Sequence, residues 1–217
     1  VLACCPYCNV MTKQLRKLLL ASLAVVLAVA CSKPSTSIGG EPIVLGYSNW
    51  AGWWPWAIAV EEKLFEKNGV NVEMKWFDGY VQSMETFAAG KIDGNSQTLN
   101  DTISFLPGEN GGQVVVLVND NSAGNDQIIA DEAIESISDL KGKTVAVEEG
   151  VVDDFLLSLA LRDVGLSRDD VIIKGLPTDQ AATAFAAGKV DAVGAFPPYT
   201  GTAMQRDGAH VIASSKE

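Results

Sequence analysis

The sequence predicts an α/β protein of two lobes, each a mostly parallel sheet flanked by helices. Three observations carry this expectation. From Pro42 onward, short β-rich runs alternate with amphipathic stretches, the order that builds parallel sheets covered on both faces. The alternation occurs twice, once before and once after about residue 125. An octapeptide also recurs: Thr86-Phe-Ala-Ala-Gly-Lys-Ile-Asp93 returns as Ala184-Phe-Ala-Ala-Gly-Lys-Val-Asp191, with six of eight residues identical. Each copy has an apolar helix end, a glycine suited to a left-handed cap and the start of a strand, so each series contains the same corner.

In the first series, residues 43–47 read as a strand, 56–67 as a helix stopped by Asn68-Gly69, and 70–76 as an alternating strand. Residues 81–89 are predicted helical with Gly90 as the stop, a strand begins at 92–94, and 99–106 is helix-like. The run 113–118, Gln-Val-Val-Val-Leu-Val, is expected to be a buried strand. In the second series a strand is expected at 126–130, a helical turn at 137–140, a strand at 144–147 and a helix at 155–164. A strand at 171–174, a helix at 181–187 and a strand at 190–194 follow, and 211–213 reads as one more strand.

The residues before Pro42 carry export chemistry. Residues 1–10 read as translated upstream sequence, and 11–30 as a signal peptide with a basic start at Lys13, Arg16 and Lys17. Its apolar run, 18–30, has thirteen residues, short of the about 20 that span a bilayer. Ala28-Val29-Ala30-Cys31 and the polar stretch behind it resemble a bacterial lipoprotein signal, with Cys31 as the lipidated residue and 31–41 as a tether. Ordinary cleavage after Ala30, leaving a free Cys31 thiol, is the alternative reading.

Charge and cysteine usage exclude several functions. Net charge is −11, and beyond Cys31 the chain carries thirteen basic against twenty-seven acidic residues, a surface that repels phosphate backbones and excludes nucleic acid as a partner. All four cysteines lie in the first thirty-one residues, so the folded part has no disulfide, thiol nucleophile or cysteine metal site. His210 is the only histidine, and no phosphate-binding loop, nucleophile elbow or histidine cluster appears. Neither a cofactor, nor a metal, nor catalysis is expected.

Five segments carry a family resemblance. They are Ile43-Val-Leu-Gly-Tyr-Ser-Asn-Trp50, the stretch Ala59-Val-Glu-Glu-Lys-Leu-Phe-Glu-Lys-Asn-Gly-Val-Asn-Val-Glu73, the two Ala-Ala-Gly-Lys corners, and Ser138-Asp-Leu-Lys-Gly-Lys-Thr-Val-Ala-Val-Glu-Glu-Gly150. Together they resemble the type II periplasmic solute-binding proteins of ABC importers, the group for nitrate, sulfonates, taurine and the thiamine-precursor pyrimidine. The resemblance implies a monomeric, two-lobed receptor that closes on a small-molecule ligand and hands it to an ABC permease and ATPase. It implies a first lobe at 42–124, a second at 125–210 and the start of a return to the first lobe at 211–217. Relatives are longer, so the chain is expected to lack the C-terminal part of its first lobe. An enzyme of thiamine-pyrimidine biosynthesis and a ligand sensor are the alternatives on the same fold.

Ligands of open parallel sheets bind beyond the carboxyl ends of the strands. Applied here, that rule nominates Ser48, Asn49, Trp50 and Trp53 after the first strand, with Trp50 and Trp53 competing between pocket wall and helix packing. It nominates Asp78 and Tyr80 next, Asp78 having an N-cap role as its alternative. Gln97, Asn100 and Asp101 follow the third strand, and Asn125 and Asp126 stand at the crossing, where a hinge role competes. Glu149, Gly150, Asp153, Phe196 and Pro197 complete the set from the second lobe. These positions are acidic and aromatic and include no Lys or Arg, which suits a cationic group better than a simple anion.

Overall fold

In a computed structural model of the chain, residues 40–105 and 112–216 are described. The leader, Cys31 and most of the tether lie outside them.

The first sheet is parallel, in the order β2-β1-β3, with β1 (Ile43–Tyr47) between β2 (Val72–Trp76) and the short β3 (Gly94–Asn95). Around it lie α1 (Pro55–Glu61), α2 (Leu64–Lys67), α3 (Tyr80–Ala88) and α4 (Leu99–Ser104). Pro55 opens α1 at a position where no helical N–H is needed. The single helix expected at 56–67 is two helices, because Lys63 takes a left-handed φ of 53° and breaks the run.

The second sheet has five strands in the order β6-β5-β7-β4-β8: β4 Gln127–Ala130, β5 Thr144–Val147, β6 Ile172–Gly175, β7 Ala192–Ala195 and β8 His210–Ser214. Strand β4 runs antiparallel to both its neighbours, and β5 pairs in parallel with β6 and β7. Helices α5 (Val152–Asp163), α6 (Thr178–Ala186) and α7 (Tyr199–Ala203) cover this sheet. Alternate strand residues serve opposite faces. Ile128, Val145, Val147 and Ala192 pack with Leu157 and Leu161 of α5, while Ile129, Ala146 and Val193 pack with Ala181, Ala182 and Phe185 of α6. Both faces are therefore covered, as the apolar strands require.

The twin corners lie in different sheets and are built alike. Gly90 and Gly188 take φ of 67° and 68°. Gly90 N–H bonds Phe87 C=O and Lys91 N–H bonds Thr86 C=O; Gly188 and Lys189 do the same to Phe185 and Ala184, a Schellman cap in each case. The last residue of the repeat pairs with the sheet: Asp93 exchanges bonds with Val44, its carboxylate accepting the Val44 N–H at 2.8 Å, and Asp191 does so with Thr144, also at 2.8 Å. The recurrent sequence thus specifies one tertiary device used twice.

Two expectations need correction. Residues 113–118 form no strand; Val114 and Val116 are 81% and 90% exposed. A strand is secured by a neighbour rather than by its own propensity, and no described strand pairs with this run. Residues 211–213, expected to start a return to the first lobe, lie in β8, which completes the outer edge of β4 and buries Ala213 in the second core. Sequence inspection also missed α7, a helix of five residues directly behind two prolines.

Candidate functional site

The carboxyl ends of strands from both sheets converge on one gap. Ser48 and Asn49 follow β1, Asp78 and Tyr80 follow β2, Glu148 follows β5, Thr178 and Asp179 follow β6, and Phe196 follows β7; together with Tyr199 they line a narrow space of about 30 Å³. The lobes touch around it. Asn49 Nδ2 donates to Tyr199 Oη at 3.2 Å, and the rings of Trp50 and Phe196 meet edge to face with centroids 5.8 Å apart. Val151, just before α5, packs against Trp53, Tyr80 and Met84 of the first lobe.

Beside this contact opens a larger cavity of about 420 Å³. Trp50, Trp53, Tyr80 and Phe196 supply its aromatic wall, Gln97, Asn100, Asn119 and Asn121 its carboxamides, and Asp120 and Asp126 its charges. Each acid is held by a local donor. Trp50 Nε1 donates to Asp120 Oδ2 at 2.6 Å, and Ser122 Oγ donates to Asp126 Oδ2 at 2.5 Å.

Behind the aromatic wall lies a buried acidic group. Asp101 accepts from Tyr80 Oη at 2.7 Å, Thr98 Oγ1 at 2.6 Å and Asn100 Nδ2 at 2.6 Å, and also takes the backbone N–H of Val152 at the start of α5. A carboxylate from one lobe therefore caps a helix of the other. Burial pushes the Asp101 pKa up, the bonds from Thr98 and Tyr80 oppose that, and the Glu148 charge adds to it. Burial and the Asp101 charge raise Tyr80 well above its usual range. Asp153 is fully buried and raised well above the carboxylate range, first by burial and then by the Glu148 charge, against the bond from the Glu148 N–H at 3.1 Å. Its Oδ1 has no hydrogen-bond partner among the described residues. Glu148 itself accepts from Thr178 Oγ1 at 2.8 Å at the start of α6.

A separate groove of about 480 Å³ lies between α4 and α5, lined by Asn100, Gly150 and Arg168 among others. Arg168 is occupied by Glu149, at 3.2 Å, and by Asp154 Oδ1. The adjacent Asp153 and Asp154 serve different partners, the N–H groups of Glu148 and Gly150, and do not form a carboxylate pair. His210 Nδ1 sits by the Gly208 carbonyl in β8, in the second sheet. Among the described residues, no three His, Cys, Asp or Glu are grouped to hold a metal. The arrangement can enclose and orient an organic molecule.

Of the residues nominated by sequence, Trp50, Trp53, Tyr80, Gln97, Asn100, Asp126 and Phe196 line the larger cavity. Ser48, Asn49 and Asp78 line the narrow space, and Gly150 the groove. Asp78 is no N-cap; Gly79 holds that position and the Asp78 carboxylate takes the Trp76 indole N–H at 2.8 Å. Asp101 and Asp153 stand behind the lining as buried supports, while Asn125, Glu149 and Pro197 lie outside all three spaces. Sequence reasoning missed Thr98 and the run Asn119-Asp120-Asn121-Ser122. The rule used elsewhere, polar residues just past an apolar run, would have found that run had it been applied after Val118.

The chain is similar in sequence and fold to known proteins. A Brucella abortus protein named as a binding protein is 33% identical over 172 residues, 78% of this chain and 52% of its own length. The crystal structure of the periplasmic aliphatic sulphonate binding protein from Escherichia coli aligns with a TM-score of 0.62 at 25% identity, covering 81% of this chain and 61% of that one. The periplasmic nitrate-binding protein of Synechocystis aligns with a TM-score of 0.64 at 14% identity, over 81% of this chain and 52% of its own, a likeness of fold. The chain spans about half the length of the relatives it matches. The architecture is that of the two-lobed periplasmic binding proteins. With its family profile matching residues 39–217, the chain belongs to the NMT1-like family.

Proposed function

We propose that this chain is the solute-capturing component of an ABC importer, binding a small polar organic molecule outside the cytoplasmic membrane and delivering it unchanged to a permease. The observation that carries the reading is the 420 Å³ cavity, walled by Trp50, Trp53 and Tyr80 from one lobe and Phe196 and Val152 from the other. A ligand there gains its full interaction only when both lobes are in place, so binding shifts the lobes toward closure by its differential affinity for the closed state. The binding-protein names of its relatives support the same reading. Lipidation at Cys31 would hold the monomeric receptor at the membrane face, since several acyl chains anchor stably where one does not.

Equilibrium dialysis against a low-molecular-weight cell extract, followed by mass spectrometry, tests the receptor role. One compound should be retained, one per chain and chemically unchanged, and Trp50→Ala should release it. Retention of nothing, or conversion of the compound, contradicts the proposal. Labelled fatty acid should enter the wild-type chain and not Cys31→Ser; a label unaffected by that substitution removes the anchor.

A further inference from the structure

Building on the receptor reading, we infer that the molecule held in the larger cavity carries a positively charged nitrogen, as an organic ammonium or amidinium. Among the described residues, the charged side chains lining that cavity are Asp120 and Asp126, and no Lys or Arg joins them. The adjoining narrow space adds Asp78, Glu148 and Asp179, again without a cation. Two arginines of the second lobe, Arg168 and Arg206, are already engaged. Arg168 faces the separate groove and pairs with Glu149 and Asp154, and Arg206 is tied to Asp131 at 3.0 Å and to the Val190 carbonyl at 2.8 Å. An anion entering the cavity would meet the carboxylates of Asp120 and Asp126.

The aromatic wall points the same way. Trp50 and Phe196 meet at 5.8 Å and Trp53 and Tyr80 at 5.5 Å, so four rings line the space in two contacting pairs. Ring faces carry negative potential and attract a cation, most strongly where water is thinned. Asp120 is fastened to this wall by the Trp50 indole N–H, which places a carboxylate and a ring face on the same group. A volume of about 420 Å³ falls within the range of pockets for whole organic molecules and would be mostly empty around an ion such as nitrate. Gln97 and Asn100 offer neutral hydrogen bonds to the rest of such a molecule.

The test is calorimetry on the chain with six probes: butylamine, agmatine and choline against nitrate, ethanesulfonate and butanesulfonate. At least one cation should bind saturably, one per chain, with affinity that weakens as salt is raised. Asp120→Asn, an exposed substitution that should leave the melting temperature unchanged, should weaken that cation about tenfold. Binding by a sulfonate or nitrate without any cation overturns the inference and leaves the receptor reading standing. Cation binding that ignores Asp120→Asn, or silence from all six probes, also overturns it; the dialysis experiment judges the receptor role separately.

Discussion

Asp153 is enclosed completely, takes the Glu148 backbone N–H and has an Oδ1 without a partner among the described residues. Because burial raises its pKa above 3.8, the folded state binds a proton more tightly than the unfolded chain does. The stability contributed by this group is present below the unfolded value and is lost as pH rises through the folded value. Asp101 shifts in the same direction. The melting temperature should therefore fall as pH rises above the ordinary carboxylate range, and Asp153→Asn should flatten that slope and melt higher than wild type at the alkaline end. An unchanged slope in the variant would remove Asp153 as the cause. Gly194 leaves little room for a side chain: a Cβ would sit 3.0 Å from both Asp153 Cβ and Val147 Cγ1, so these neighbours would have to give way slightly. Gly194→Ala should cost about 1–3 kcal/mol by chemical denaturation. At this scale the sequence was partly legible. The polarity of Asp101 and Asp153, and their place after strands, could be read directly, but their burial could not, because Asp101 is bonded by Tyr80 and Val152 from other elements and Asp153 packs beside Gly194 of β7.

Among the elements, the two Schellman corners were the most legible, since glycine at a left-handed cap is a local requirement written in local sequence. Nothing lies within 4 Å of a Cβ built on Gly90 or Gly188, so alanine there meets only the backbone penalty. Gly90→Ala and Gly188→Ala should each cost about 1 kcal/mol, and a marked inequality between them would show that the corners differ in rigidity. The break at Lys63 should respond oppositely: Lys63→Gly relieves a left-handed lysine and should stabilise by about 0.5 kcal/mol. The strands of the second sheet were readable because their residues alternate between two covered faces. The run 113–118 misled because five consecutive apolar residues state a preference for burial and say nothing about whether a partner strand is at hand.

Among the described residues, two sheets present their carboxyl ends to one another, and the contacts between them include Asn49 with Tyr199, Trp50 with Phe196, Val151 with Trp53 and Tyr80, and Asp101 with the start of α5. The two-lobed plan was legible from the repeat, because duplicated corners in separate sheets imply duplicated supports. Which strand-end residues reach the cavity was legible for the tryptophans and not for residues 119–122, whose position follows from the path of the connecting segment. The cavity is built at the seam, so occupancy and lobe separation should be linked. The most direct measurement is the distance between spin labels at Glu61→Cys in α1 and Asp163→Cys in α5, both exposed, with the four native cysteines changed to serine. Adding a low-molecular-weight cell extract should shift the label separation to a shorter, narrower distribution; a distribution that is the same with and without extract would contradict a cleft that closes on its cargo.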